Sequence, residues 1–296
     1  MSSKSIILFA IILIWVYNVA VKYVKKTCKY LFSHLPRLLA LSIAPAAIVA
    51  FFMQPAGFGL IIPVSAVSGV EKFSDIFFLV FKRELITRYP YMIAVGLVLM
   101  LLCISFTMGM EERHFKTGKL TFRQSLSTLN NCVPPIAKVF LLLAVIYVIY
   151  KILVVCVLTL FVLVLENWGA APLWVSVVVG ALSAIGFIAL LIAVRPLMFA
   201  SATMLVYGYS FKDAFSSAIG LDGAGDKGAL NFALIAPFII YLLVSTIMVG
   251  LSLPSLVQAI VNSVLIALIM QYVVTYVTVA MFELSGIERR DCKKYY

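Results

Sequence analysis

Residues 195–229 read RPLMFASATMLVYGYSFKDAFSSAIGLDGAGDKGA, and the fold follows from how this stretch is read. It is the longest interruption of hydrophobicity in the second half of the chain. Within it Phe211, Phe215, Ala218 and Ile219 recur at i, i+4, i+7 and i+8, with Lys212, Asp213, Ser216 and Ser217 on the other side. That spacing is one apolar face of a short helix. Ser210, with Asp213 three residues on, makes a variant capping box at its start, and the glycine-rich turn 222–228 ends it. A short amphipathic helix between two membrane-length apolar runs belongs in the membrane interface.

The flanking runs extend this reading to the whole chain. Hydrophobic residues make up 64% and charged residues only 12% of the sequence, which excludes an ordinary soluble domain. Apolar runs of about 20 residues, the length a helix needs to cross a bilayer, recur at 5–24, 38–52, 91–110, 136–165, 173–194, 230–250 and 255–281. Ten-residue strand alternation is absent, so a β-barrel is not supported. The fold class is all-α: a polytopic bundle of about seven spans, an N-terminal anchor plus three hairpins, with short interfacial helices. Residues 1–25 form the anchor, 26–285 a six-span membrane domain and 286–296 a basic tail. Residues 54–70, broken by Pro55, Gly57, Gly59 and Pro63, have the form of a re-entrant segment.

The net charge is +11, and Lys and Arg gather beside apolar runs as cytoplasmic flanks do. Segments 22–37, 111–133, 195–229 and 284–296 therefore lie inside. Turns 166–172 and 251–254 lie outside, with 54–88 placed there despite Lys82, Arg83 and Arg88. The expected location is the plasma membrane, N-terminus outside and C-terminus cytoplasmic. In a eukaryote Lys293-Lys294 near the C-terminus would point to the endoplasmic reticulum. Nucleic acid is not an expected partner. Cys28, Cys103, Cys132, Cys156 and Cys292 show no CxxC and read as reduced thiols.

Two interfacial segments look alike. Thr121-Phe122-Arg123-Gln124-Ser125-Leu126-Ser127-Thr128 reads against Ser210-Phe211-Lys212-Asp213-Ala214-Phe215-Ser216-Ser217, and the basic run 25–37 precedes a hairpin in the same way. The chain thus reads as three amphipathic-helix-plus-hairpin units of roughly 90 residues. On residues 210–217 and this organisation, the chain resembles the membrane domain of glycerophosphoryl diester phosphodiesterases and related six-span bacterial membrane proteins. The resemblance implies a membrane module of poorly defined function. It does not bring the phosphodiesterase barrel, because no stretch reads as a soluble (β/α)₈ domain.

Chemistry inside the bilayer needs ionisable groups at depth. By hydropathy the apolar cores hold no Asp, Glu or His, and His34 and His114 fall in flanks. No catalytic, cofactor or metal residues are expected, and the chain reads as a non-enzyme. Lys151 is the one charge well inside an apolar run, either snorkelling to the interface or meeting an anion. Arg195, at a span end before Pro196, is interfacial and could bind a lipid phosphate. Together with Lys212, Asp213, Asp222 and Lys227 these are the candidate lipid, anion or partner contacts. Gln258, Asn262, Gln271, Thr275 and Thr278 on the last helix read first as interhelical hydrogen bonding. The leading function is a scaffold or accessory factor that binds anionic lipid or a protein partner. The alternative is a transporter subunit such as an ABC-type permease with an ATPase partner, because residues 217–224 faintly resemble the coupling loop of such permeases.

Overall fold

The computed structural model describes residues 21–53, 90–119, 122–169, 172–251 and 254–292. Seven α-helices occupy them: α1 (Lys22–Met53), α2 (Pro90–Thr117), α3 (Phe122–Asn167), α4 (Pro172–Tyr207), α5 (Phe211–Ala224), α6 (Lys227–Gly250) and α7 (Ser255–Leu284). A 3₁₀ turn, Arg290–Cys292, follows. Six of the seven are long and apolar enough to cross a membrane, α5 being the exception. The chain is a multi-pass helical membrane protein. Most of the expected anchor and the whole of 54–88, with the segment 54–70 expected to be re-entrant, lie outside the described residues.

Several helices run past the ends of their apolar runs. The basic stretch 25–37 is not a separate interfacial helix but the first turns of α1, which carries Pro36 and Pro45 inside it. The segment from Phe122 opens α3, a single helix of 46 residues and about 69 Å. Arg195 does not end a span, since α4 continues through Pro196 to Tyr207. Hydropathy reports the thickness of the bilayer, about 30 Å, and a helix has no reason to stop there. What stops α2, α4 and α7 is glycine. Gly118, Gly208 and Gly286 each take positive φ, at 73°, 68° and 67°, just beyond the helix end. Gly118 N donates to His114 O at 2.8 Å and Gly208 N to Met204 O at 2.9 Å, the bonds of a left-handed cap. The glycine-rich turn expected at 222–228 is also shorter than that: α5 runs to Ala224, α6 starts at Lys227, and Asp226 Oδ1 caps α6 by accepting from Ala229 N at 3.1 Å.

Of the three interfacial helices expected, α5 is the separate one among the described residues. Asp213 N donates to Ser210 Oγ, and Ser210 Oγ in turn donates to Asp213 Oδ2 at 2.6 Å. Ala214 and Ala218 are its buried side chains, set against the core, while Phe215 and Ile219 are exposed.

The spans alternate in direction. At one end, Lys26 on α1 pairs with Glu283 at the end of α7. At that same end Lys116 on α2 donates to Val206 O at the end of α4, 3.0 Å away, and Tyr276 reaches Leu230 at the start of α6. We call this the basic end. Helices α2, α4 and α7 run toward it and α1, α3 and α6 away. Helix α7 lies at the centre: it packs on α1, α2, α4 and α6, and about two-thirds of its membrane window is buried, against half or less for the others. The fully buried Tyr276, Phe282, Phe115, Phe199, Leu38, Leu230 and Leu234 put the core in the half nearer the basic end.

Two prolines inside helices are matched by side chains of neighbours. A proline lacks the N–H that would bond the carbonyl four residues back. Pro237 in α6 therefore frees Ala233 O, and the Tyr272 hydroxyl donates to it at 3.0 Å. Pro45 in α1 frees Leu41 O, and the Cys103 thiol faces it at 3.5 Å.

Candidate functional site

Counted at about 1.5 Å per residue, Arg195 lies about 35 Å along α4 from Pro172, inside the stretch Ala181–Tyr207 that is long and apolar enough to cross a membrane. Its side chain is only 3% accessible. Nε donates to Asp222 Oδ1 at 2.5 Å and Nη2 to Asp222 Oδ2 at 2.9 Å, a bidentate fork. Nη1 donates to Asn231 Oδ1. One guanidinium thus fastens α5 and α6 to α4. The arrangement is closed on itself, with the charge of Arg195 met by Asp222.

Of the other candidates, Lys212 is exposed on α5, Asp213 takes part in its cap, and Lys227 is exposed at the first residue of α6. Lys151 on α3 is buried, and its ammonium sits 5.0 Å from the centre of the Tyr147 ring. Tyr147 is one turn nearer the basic end, the direction snorkelling requires. The structure therefore joins Arg195 with Asp222 and leaves Lys151, Lys212, Asp213 and Lys227 apart from them.

A second polar group lies where hydropathy pointed to none. Glu111 and His114 belong to α2 and are buried in the bundle. Glu111 is fully buried, and its Oε1 accepts from Thr275 Oγ1 at 2.5 Å. One turn toward the far end, Gln271 Nε2 lies 3.2 Å from Leu38 O, 3.4 Å from Thr107 Oγ1 and 3.7 Å from Cys103 Sγ. One turn toward the basic end, His114 Nδ1 is 3.0 Å from Tyr30 Oη, and its ring meets that of His34 edge to face at 5.2 Å. Arg289, bonded through Nη2 to Asp291 Oδ2 at 2.7 Å, lies over the Phe115 ring. The seam between α1, α2 and α7 is thus polar from Gln271 to the basic end.

No family model, curated protein or solved structure matches this chain. The site must be read from its own residues.

Three residues central to these clusters escape the sequence reading. Glu111 is the first charged residue after the run 91–110, so hydropathy assigns it to a flank. Asn231 gave a faint signal as a polar residue at the head of an otherwise apolar span. Tyr272 could have been found by pairing a buried tyrosine with a helix-interior proline, though nothing local tells which carbonyl it meets.

Exposed cations form the remaining feature. Lys25 and Lys29 on α1, Lys119 before α3, Lys212 on α5, Lys227 on α6 and Arg290 are all exposed at the basic end. The far-end turns 166–172 and 251–254 carry no Lys or Arg.

Proposed function

We propose that this is a non-enzymatic membrane scaffold whose basic end engages anionic lipid headgroups. The observation that carries the reading is the exposed cation ring joined to α5, whose Phe215 and Ile219 stay exposed beside Lys212. Each Lys or Arg near an anionic surface is worth about 1 kcal/mol, and an apolar helix face in the acyl boundary adds to it. Arg195 has no part in this contact, because its side chain is buried and bonded to Asp222 and Asn231. The resemblance to phosphodiesterase membrane domains fits a module that organises a lipid surface.

Lipid retention tests the proposal. Full-length protein purified in mild detergent should keep anionic phospholipid in several-fold excess over its share of the host membrane. Replacing Lys25, Lys29, Lys212 and Lys227 by Glu should abolish that excess. Lipid mass spectrometry showing equal enrichment in both proteins would reject it.

The permease alternative has one observation on its side: α5 is a short helix with an exposed face between two span pairs, the form a docking helix takes. Against it, Asp222 is turned inward to Arg195 instead of outward to a partner. A stoichiometric ATPase in the same preparation would decide for it.

A further inference from the structure

Thr107 and Glu111 stand one turn apart on α2, and Gln271 and Thr275 one turn apart on α7. Gln271 meets Thr107 and Thr275 meets Glu111. Two parallel helices are therefore joined by two rungs about 6 Å apart. Each rung carries a buried oxygen without a hydrogen-bond partner: Glu111 Oε2 and Gln271 Oε1. The residues are 0% and 1% exposed.

The position of both oxygens is fixed by their neighbours. Leu38 O can only accept, so the Gln271 amide must turn Nε2 toward it and Oε1 away. Thr275 gives its proton to Glu111 Oε1, and Thr278, whose hydroxyl also lies beside the carboxylate, gives its own to Val274 O at 2.9 Å. Thr27 and Ser105 also have unpartnered hydroxyl oxygens, and Asn262 an unpartnered amide oxygen; Asn262 lies nine residues from Gln271 along α7, about 13 Å away from this pair, and a hydroxyl can rotate onto a carbonyl of its own helix. A carboxylate oxygen and an amide oxygen have no such escape, and buried polar atoms of this kind normally have a partner. With Glu111 ionised both are acceptors, so a donor or a cation reaching both would satisfy them.

We infer that the seam between α2 and α7 binds one small monovalent cation, held by Glu111 Oε2 and Gln271 Oε1. A hard cation takes oxygen ligands at about 2.4 Å, so two of them stand at most about 5 Å apart, a little less than the rung spacing of about 6 Å. The ligands are carboxylate and amide oxygen, the set that suits hard cations over soft ones. Charge selects a monovalent ion. Glu111 supplies one negative charge, and the charged groups within electrostatic reach of it, Arg289 and Asp291, pair with each other. The site lies inside the bundle and shares no residue with the exposed cation ring, so it stands or falls separately from the lipid proposal.

The test uses full-length protein in detergent. Equilibrium binding of radioactive sodium should saturate at about one ion per chain. Sodium chloride should raise the melting temperature above that in choline chloride of equal ionic strength, and a sodium-induced carboxylate band should appear in the infrared difference spectrum. Glu111→Gln, which keeps an acceptor for Thr275, and Gln271→Leu should each lose sodium binding and the melting shift; Glu111→Gln should also lose the band. Lithium or potassium acting in place of sodium would support the site equally. It is overturned if no alkali cation binds saturably to the wild-type protein, or if binding survives both substitutions. The wild-type measurement decides even where a variant fails to fold.

Discussion

Arg195 holds three helices through one planar group. Its guanidinium is placed in the bundle by α4, while its acceptors come from α5 and α6. Removing one member of a buried ion pair strands the other, at a cost of about 3–5 kcal/mol. Arg195→Ala should therefore lower the melting temperature of the detergent-solubilised protein sharply. Arg195→Leu combined with Asp222→Leu should recover most of that loss, because apolar replacement of a whole buried pair is often close to neutral. A double variant as unstable as Arg195→Ala would show that the fork does more than fasten α5. Arg195 was legible as a charge beside an apolar run. Its partners were not, because Asp222 stands in what reads as a glycine-rich loop, and side-chain pairing across elements leaves no local trace. Glu111 failed to read for the opposite reason: one carboxylate directly after an apolar run looks like a flank, whatever the helix does next.

At the level of elements, the short helix α5 and its cap were written in Ser210, Asp213 and the i, i+4 apolar spacing, and the structure places it there. The long helices were legible as spans but not in their full extent. Their ends depend on the backbone freedom of Gly118 and Gly208, and a glycine in an apolar or basic context announces no cap by itself. Prolines show the reverse case, where a local rule has a distant answer. Pro237 frees Ala233 O, and Tyr272 from α7 meets it. Tyr272→Phe should leave that carbonyl unpaired and cost about 1–3 kcal/mol. In a Pro237→Ala background the helix regains its own N–H, and the same Tyr272→Phe change should cost clearly less. Thermal unfolding of the four proteins in a double-mutant cycle measures the difference, and strict additivity would refute the pairing.

On the scale of the molecule, alternating spans bring every described basic flank to one end, and charge asymmetry predicts that this end is cytoplasmic. The native cysteines test it poorly: Cys132 and Cys103 are buried, and Cys156 is exposed within a span, so silence toward a thiol reagent has two causes. Single cysteines at exposed sites are better reporters. Trp168→Cys, at an 80% exposed position on a far-end turn, should react with an impermeant reagent in intact cells. Lys212→Cys should react only after permeabilisation, and the opposite pattern would invert the orientation. The central place of α7 also bears on how the protein is made. Every other described helix leaves the ribosome before it. Until it arrives, Glu111 and Thr107 lack their rung partners, and the carbonyl freed by Pro237 lacks its donor. The half-built bundle must then wait in the membrane with polar groups uncovered, where an insertase or membrane chaperone would have to shield it and quality-control proteases could recognise it. The same helix that completes the core thus sets the moment at which these polar groups are covered.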